Sequence, residues 1–69
     1  MELIFKTSDG IQLYATIEND EIKSFHSINA YKIKMALKKD LYSKDSYSSY
    51  MAKILLNTIK RIGIERIND

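Results

Sequence analysis

ELIFKTSDGIQLYATIE, residues 2–18, is the stretch whose reading decides the fold. Leu3 and Phe5 alternate with Glu2, Ile4 and Lys6. Ile11, Leu13, Ala15 and Ile17 alternate with Gln12, Tyr14, Thr16 and Glu18. A period of two is the mark of a strand with one buried face. Between the runs stands Ser8-Asp9-Gly10. Glycine accepts a positive φ, and aspartate bonds its own backbone, so this is turn chemistry. The pattern predicts a β-hairpin, with strands over about 2–7 and 11–18.

Working outward, Glu18-Asn19-Asp20-Glu21 reads as a second turn. A third strand is expected over about 21–27, with Ile22 opposite Ile17. Residues 28–43 carry two patterns at once. Tyr31, Ile33, Met35 and Leu37 alternate as a strand would, while Ala30, Ile33, Leu37 and Leu41 fall at helical spacing. Ala, Met, Leu and Lys are good helix formers, and Asn29 or Ser27 can cap the start. Composition therefore favours a helix over about 29–43, although the alternation remains.

The next helix is expected over about 46–62. Tyr47, Tyr50, Met51, Ile54, Leu55, Thr58, Ile59 and Ile62 form one apolar stripe at helical spacing. Asp45 or Ser46 can cap its start. Lys60 and Arg61 suit its last turn, and Gly63 stands where a left-handed terminating residue belongs. Ile64 is then placed to touch Ile59 in a Schellman ending. The tail 64–69 is expected to add a few residues of strand or to fray. The expectation is one α+β domain over 1–69, an antiparallel sheet of two or three strands packed on one face by two consecutive helices.

Sixty-nine residues, with 45% hydrophobic and 29% charged side chains, suit a folded rather than a disordered chain. The absence of cysteine excludes disulfides and thiolate metal sites. A domain this small buries little, so self-association is a natural way to gain burial. No apolar run exceeds three residues, far short of a membrane span. Met1-Glu2-Leu3 does not open a signal peptide, and the expected location is the cytoplasm. Charge is unevenly spread. Residues 1–30 set Lys6 and Lys23 against five carboxylates, while residues 31–69 set nine Lys/Arg against four. That asymmetry suits head-to-tail self-contact, or an anionic partner for the second half.

Little in the sequence points to catalysis. His26, the single histidine, has only Ser24 and Ser27 as polar companions in sequence, and reads as structural. Glu18, Asp20 and Glu21 lack the ligand number and spacing of a calcium loop. Two glycines, Gly10 and Gly63, cannot build a phosphate-cradling loop. No enzymatic activity, cofactor or metal is expected.

Three surfaces stand out for binding. If Leu3, Phe5, Leu13, Ala15 and Ile17 face the helices, Ile4, Tyr14 and Phe25 fall on the open sheet face, where a protein partner or second copy can dock. The stretch 41–50 concentrates tyrosine and serine, with Tyr42 free of the core stripe. Leu56 lies opposite that stripe. Lys32, Lys38, Lys39, Lys53, Lys60 and Arg61 make the helices basic, which admits a helix-turn-helix reading with Ser46–Ser49 at the tip. Scarcity of arginine weighs against nucleic acid. The expectation is a small protein-binding regulator or inhibitor, of the kind a phage or other mobile element carries. A nucleic-acid binder is the second reading and a homo-oligomeric structural subunit the third.

Overall fold

A computed structural model describes residues 1–66. Turn chemistry acts where the sequence places it. Gly10 takes φ of 84°, and its N–H donates to Thr7 O at 2.9 Å. Asn19 and Asp20 both take positive φ, 52° and 63°, the signature of a two-residue hairpin turn matched to strand twist. These turns link β1 (Glu2–Lys6), β2 (Gln12–Glu18) and β3 (Glu21–Ser27) into an antiparallel meander. Then follow α1 (Ala30–Asp40), α2 (Ser46–Ile62) and the two-residue β4 (Glu65–Arg66), which pairs parallel to β3. Sheet order is β1-β2-β3-β4. The tail therefore adds a strand at 65–66, and the expectation for 67–69 lies outside the described residues.

Residues 28–43 resolve as a helix. Asn29 accepts the Lys32 N–H at 2.9 Å as its cap, and Ile33, Ala36 and Leu37 are buried. The helix stops at Asp40, three residues short of the expected end. Leu41–Ser43 turns instead, with Tyr42 N–H donating to Lys39 O and Ser43 N–H to Asp40 O. Asp45 caps α2 through the Tyr47 and Ser48 N–H groups. At the other end Gly63 has the anticipated positive φ of 80°, but its ψ of 177° is extended rather than left-handed helical. The chain accordingly leaves straight into β4, where a Schellman ending was expected.

Leu13, Ala15, Phe25, Ile33, Leu37, Ala52, Leu55 and Ile59 form the core between sheet and helices. Two expectations are corrected here. Phe25, placed on the open face by simple alternation, is 1% exposed and among the largest fully buried side chains. The cause is a β-bulge. Ile17 pairs with Ile22, yet Thr16 pairs with Ser24, so Lys23 is an extra residue in β3. One inserted residue reverses every later side chain, which turns Phe25 inward and His26 outward. The second correction is in α2. Tyr47, Tyr50, Ile54 and Ile62 are exposed, and the buried side is Ala52, Leu55 and Ile59. The buried face is rotated by about 80° from the centre of the expected stripe, given 100° per residue. Hydrophobic size suggested the tyrosines, whereas close packing selected the small Ala52. That rotation leaves Leu56 half-buried at the flank, not opposite the core.

Candidate functional site: a lysine-rimmed groove between the helices

Folding sorts the charges by layer. Glu2, Asp9, Glu18, Asp20, Glu21 and Glu65 belong to the sheet and its turns, against Lys6, Lys23 and Arg66 there. The helices carry Lys32, Lys34, Lys38, Lys39, Lys53, Lys60 and Arg61, and their single carboxylate, Asp40, is buried. Asp40 accepts hydrogen bonds from Ser8 N–H and Ser8 Oγ, tying α1 to the first hairpin turn, and contributes no surface charge that offsets the lysines.

On this basic side a groove of about 540 Å³ runs between α1 and α2. Leu41, Leu56 and Ile59 line its apolar part, while Lys34, Lys38 and Lys60 stand at its rim with Asn57. Ion pairs within 4 Å among the described residues are Lys23–Glu21, His26–Glu65 and Lys39–Asp9, so none of the three rim lysines has a carboxylate partner there. Lys34 and Lys38 are one turn apart on α1, a like-charge spacing that costs an isolated helix about 0.2–0.5 kcal/mol. Beside them on the outer face Tyr31 and Met35 are exposed, and Tyr42 follows at 88% exposure. Aromatic and methionine side chains in this position are typical of protein interfaces.

The anticipated site residues separate into groups. Lys38, Lys60 and Leu56 meet at the groove, and Lys53 lies one turn away on the same face of α2. Lys39 is held 3.3 Å from Asp9, and Lys32 stands in the first turn of α1 near Tyr14 and Gln12. Arg61 faces the acidic turn at Asp20 and Glu21 instead. Lys34, Tyr31 and Met35 were not anticipated. The signal was present, because 31, 34, 35, 38 and 42 share one side of a helix once that segment is read as helical.

The open sheet face is more polar than expected. Its central row is Ile4, Tyr14, His26 and Glu65 across four strands. Ile4 is 56% exposed, whereas Tyr14 is half-buried and its hydroxyl donates to Gln12 Oε1 at 2.8 Å. Ser24 Oγ lies 3.1 Å from His26 Nε2, and His26 Nδ1 lies 3.5 Å from Glu65. That is the connectivity of a hydrolytic triad laid on a flat sheet. An oxyanion needs free donors aimed at it, and Ser24 lies within β3, paired across the sheet with Thr16. Among the described residues, no cluster of three His, Asp or Glu is placed to hold a metal.

The tip of α2 is engaged in its own capping. Ser48 Oγ donates to Asp45 Oδ2 at 2.7 Å and Ser49 Oγ to Leu41 O at 2.9 Å. The Ser48 hydroxyl and N–H hold the Asp45 carboxyl below its usual range. No helix of the described residues is long and apolar enough to cross a membrane. No family model, curated protein or solved structure matches this chain.

Proposed function

We propose that this chain is a non-enzymatic protein-binding module, and that the groove between α1 and α2 takes an acidic amphipathic segment of a partner protein. The reading is carried by one observation: Lys34, Lys38 and Lys60, which have no carboxylate partner among the described residues, surround an apolar floor of Leu41, Leu56 and Ile59. Carboxylates of a helical or extended segment answer the rim, while its apolar side chains answer the floor. Electrostatics then sets approach and orientation, and the buried apolar anchor supplies most of the affinity. The protein acts on this reading as a small cytoplasmic regulator or inhibitor, by occupying its partner's surface.

The basic helical layer also supports nucleic-acid binding as a second reading, and the two differ in their response to salt. Phosphate binding falls by orders of magnitude between low and physiological salt. Binding to an apolar floor persists. The test is an amide-shift titration with a synthetic peptide that alternates Glu and Leu at helical spacing, repeated with a duplex DNA. Shifts at Lys34, Lys38, Leu56 and Lys60 that survive physiological salt, and their loss in Leu56→Glu, support the proposal. Saturation by DNA with no response to the peptide overturns it.

A further inference from the structure

We propose that the free edge of β1 is a dimerisation strand, and that its occupant is β1 of a second copy, paired antiparallel about Ile4. This rests on a different surface from the groove and does not depend on it. Backbone pairing supplies the first observation. Ile17 N–H donates to Met1 O at 2.7 Å, the Met1 amino group donates to Ile17 O at 3.1 Å, and Thr7 N–H donates to Ile11 O at 3.0 Å. The register between these points is continuous. Odd positions of β1 therefore bond β2, and the N–H and C=O of Glu2, Ile4 and Lys6 point away from the sheet. β1 is the first strand in the sheet order, so those groups form an open edge.

Sequence symmetry supplies the second observation. Glu2 and Lys6 lie two residues either side of Ile4, with opposite charges. Antiparallel pairing about an Ile4–Ile4 dyad sets Glu2 of each copy opposite Lys6 of the other, and matches every outward donor with an acceptor. A shift by two residues loses both charge pairs. Parallel pairing in register sets Glu2 on Glu2 and Lys6 on Lys6, which repel. One register is thereby favoured over its competitors.

The third observation is what lies on either side of that edge. Leu3 is on the helix side of β1 but 42% exposed, because the helices meet the sheet chiefly along β3. Beside it a cleft of about 180 Å³ opens between β1 and the first half of α2, with Phe5, Tyr47 and Met51 in its walls. Tyr50 and Ile54 are exposed on the same apolar helix. In the proposed dimer Leu3 of one copy stands directly across from Phe5 of the other, on the side where these residues await cover. On the opposite side the Tyr14–Ile4 row continues into Ile4–Tyr14 of the second copy.

The test uses charge reversal and sedimentation equilibrium from about 5 to about 500 µM, a span that carries a weak pair with Kd on the order of 50 µM from mostly monomer to mostly dimer. A concentration-dependent rise to twice the monomer mass is expected. Glu2→Lys alone, or Lys6→Glu alone, converts both cross-copy pairs to like charges and weakens the dimer about ten-fold. Mixing the two single variants restores it, because each then supplies what the other lacks, and the double reversal restores it within one chain. Ile4→Pro removes an N–H that the monomer's own ladder does not use, so it abolishes the dimer while far-UV circular dichroism is retained. A monomer mass at every concentration overturns the proposal. So does a dimer indifferent to all of these changes. Peptide shifts at the groove remain intact in the Glu2 and Lys6 variants, which separates failure of this inference from failure of the groove reading.

Discussion

Replacing Phe25 by alanine tests where the bulge at Lys23 has placed β3. Phe25 is 1% exposed and sits at the centre of the sheet–helix core. Truncating a buried phenylalanine costs about 3–5 kcal/mol, part in lost transfer energy and part in the cavity left behind. A chain of 69 residues holds about 3–10 kcal/mol of stability in total. Phe25→Ala therefore removes a third or more of it, and lowers Tm by roughly 20 °C at about 4–8 °C per kcal/mol. Tyr14 is the matched control. It sits on the open face with one hydroxyl bond to Gln12, so Tyr14→Ala costs under about 1 kcal/mol. The assay is urea unfolding followed by circular dichroism. Protein concentration is fixed throughout, because any dimer makes stability concentration-dependent. The reasoning fails if Phe25→Ala costs no more than Tyr14→Ala, since alternation without a bulge sets both side chains on the open face.

Asp40→Ala removes the acceptor of both Ser8 hydrogen bonds and is expected to cost about 2–3 kcal/mol in the same assay, with Asp40→Asn costing less because an oxygen remains to accept the Ser8 N–H. Gly63→Ala forces a side chain into a backbone region open almost solely to glycine, and should cost about 1–3 kcal/mol despite free space around it. Asp45 gives a pH dependence of definite sign. Its folded carboxyl is held below the ordinary aspartate value by the Ser48 hydroxyl and N–H, so its capping contribution is full above that ordinary value and is lost as pH falls through the folded pKa. The Tm gap between the natural chain and Asp45→Ala should be constant from pH 7 to about 5 and shrink below about pH 4. Lys38→Glu and Lys60→Glu together should leave Tm within a few degrees while abolishing peptide shifts at the groove, since exposed charges add little to stability.

The elements were legible because each rests on local chemistry: period-two alternation on either side of Asp9-Gly10, the Asn29 and Asp45 caps, and the glycine after α2. What alternation alone did not carry was side-chain direction beyond an irregularity. The bulge at Lys23 exists because Ile22 must reach Ile17 while Phe25 must reach the core, a condition set by pairing across the sheet. Hydrophobic size likewise misplaced the inner side of α2, since helix packing favours the small Ala52 at the line of closest approach. The site followed from these two. Phe25 left the candidate surface once the bulge was placed, and Leu56 moved to a groove flank once the helix was rotated. Lys34 joined Lys38 only after the ambiguous segment became a helix.

Charge layering bears on how copies of this chain associate. An acidic sheet side and a basic helix side suggest stacking one molecule's sheet on the next molecule's helices. Such a contact is heterologous: each molecule retains one free surface of each kind, and growth continues unless a ring closes. Stacking also buries Glu65, Glu2 and Lys6 against a lysine-rich groove, where each charge must find a partner or lose hydration. Edge pairing through β1 leaves both layers in water, keeps the two grooves on one side of a continuous sheet, and is isologous, since each copy offers the same edge to the other. It therefore stops at two. The distinction is measurable without any variant: mass that levels off at twice 8.0 kDa is the closed dimer, and mass that climbs with concentration is the stack. Salt separates them again, since raising ionic strength dissolves a charge-driven stack but leaves the backbone ladder and the Leu3–Phe5 contacts of the edge pair largely in place. A closed pair carrying two grooves on one side also binds a partner that offers two acidic segments more tightly than one groove can, by the effective concentration of the second site.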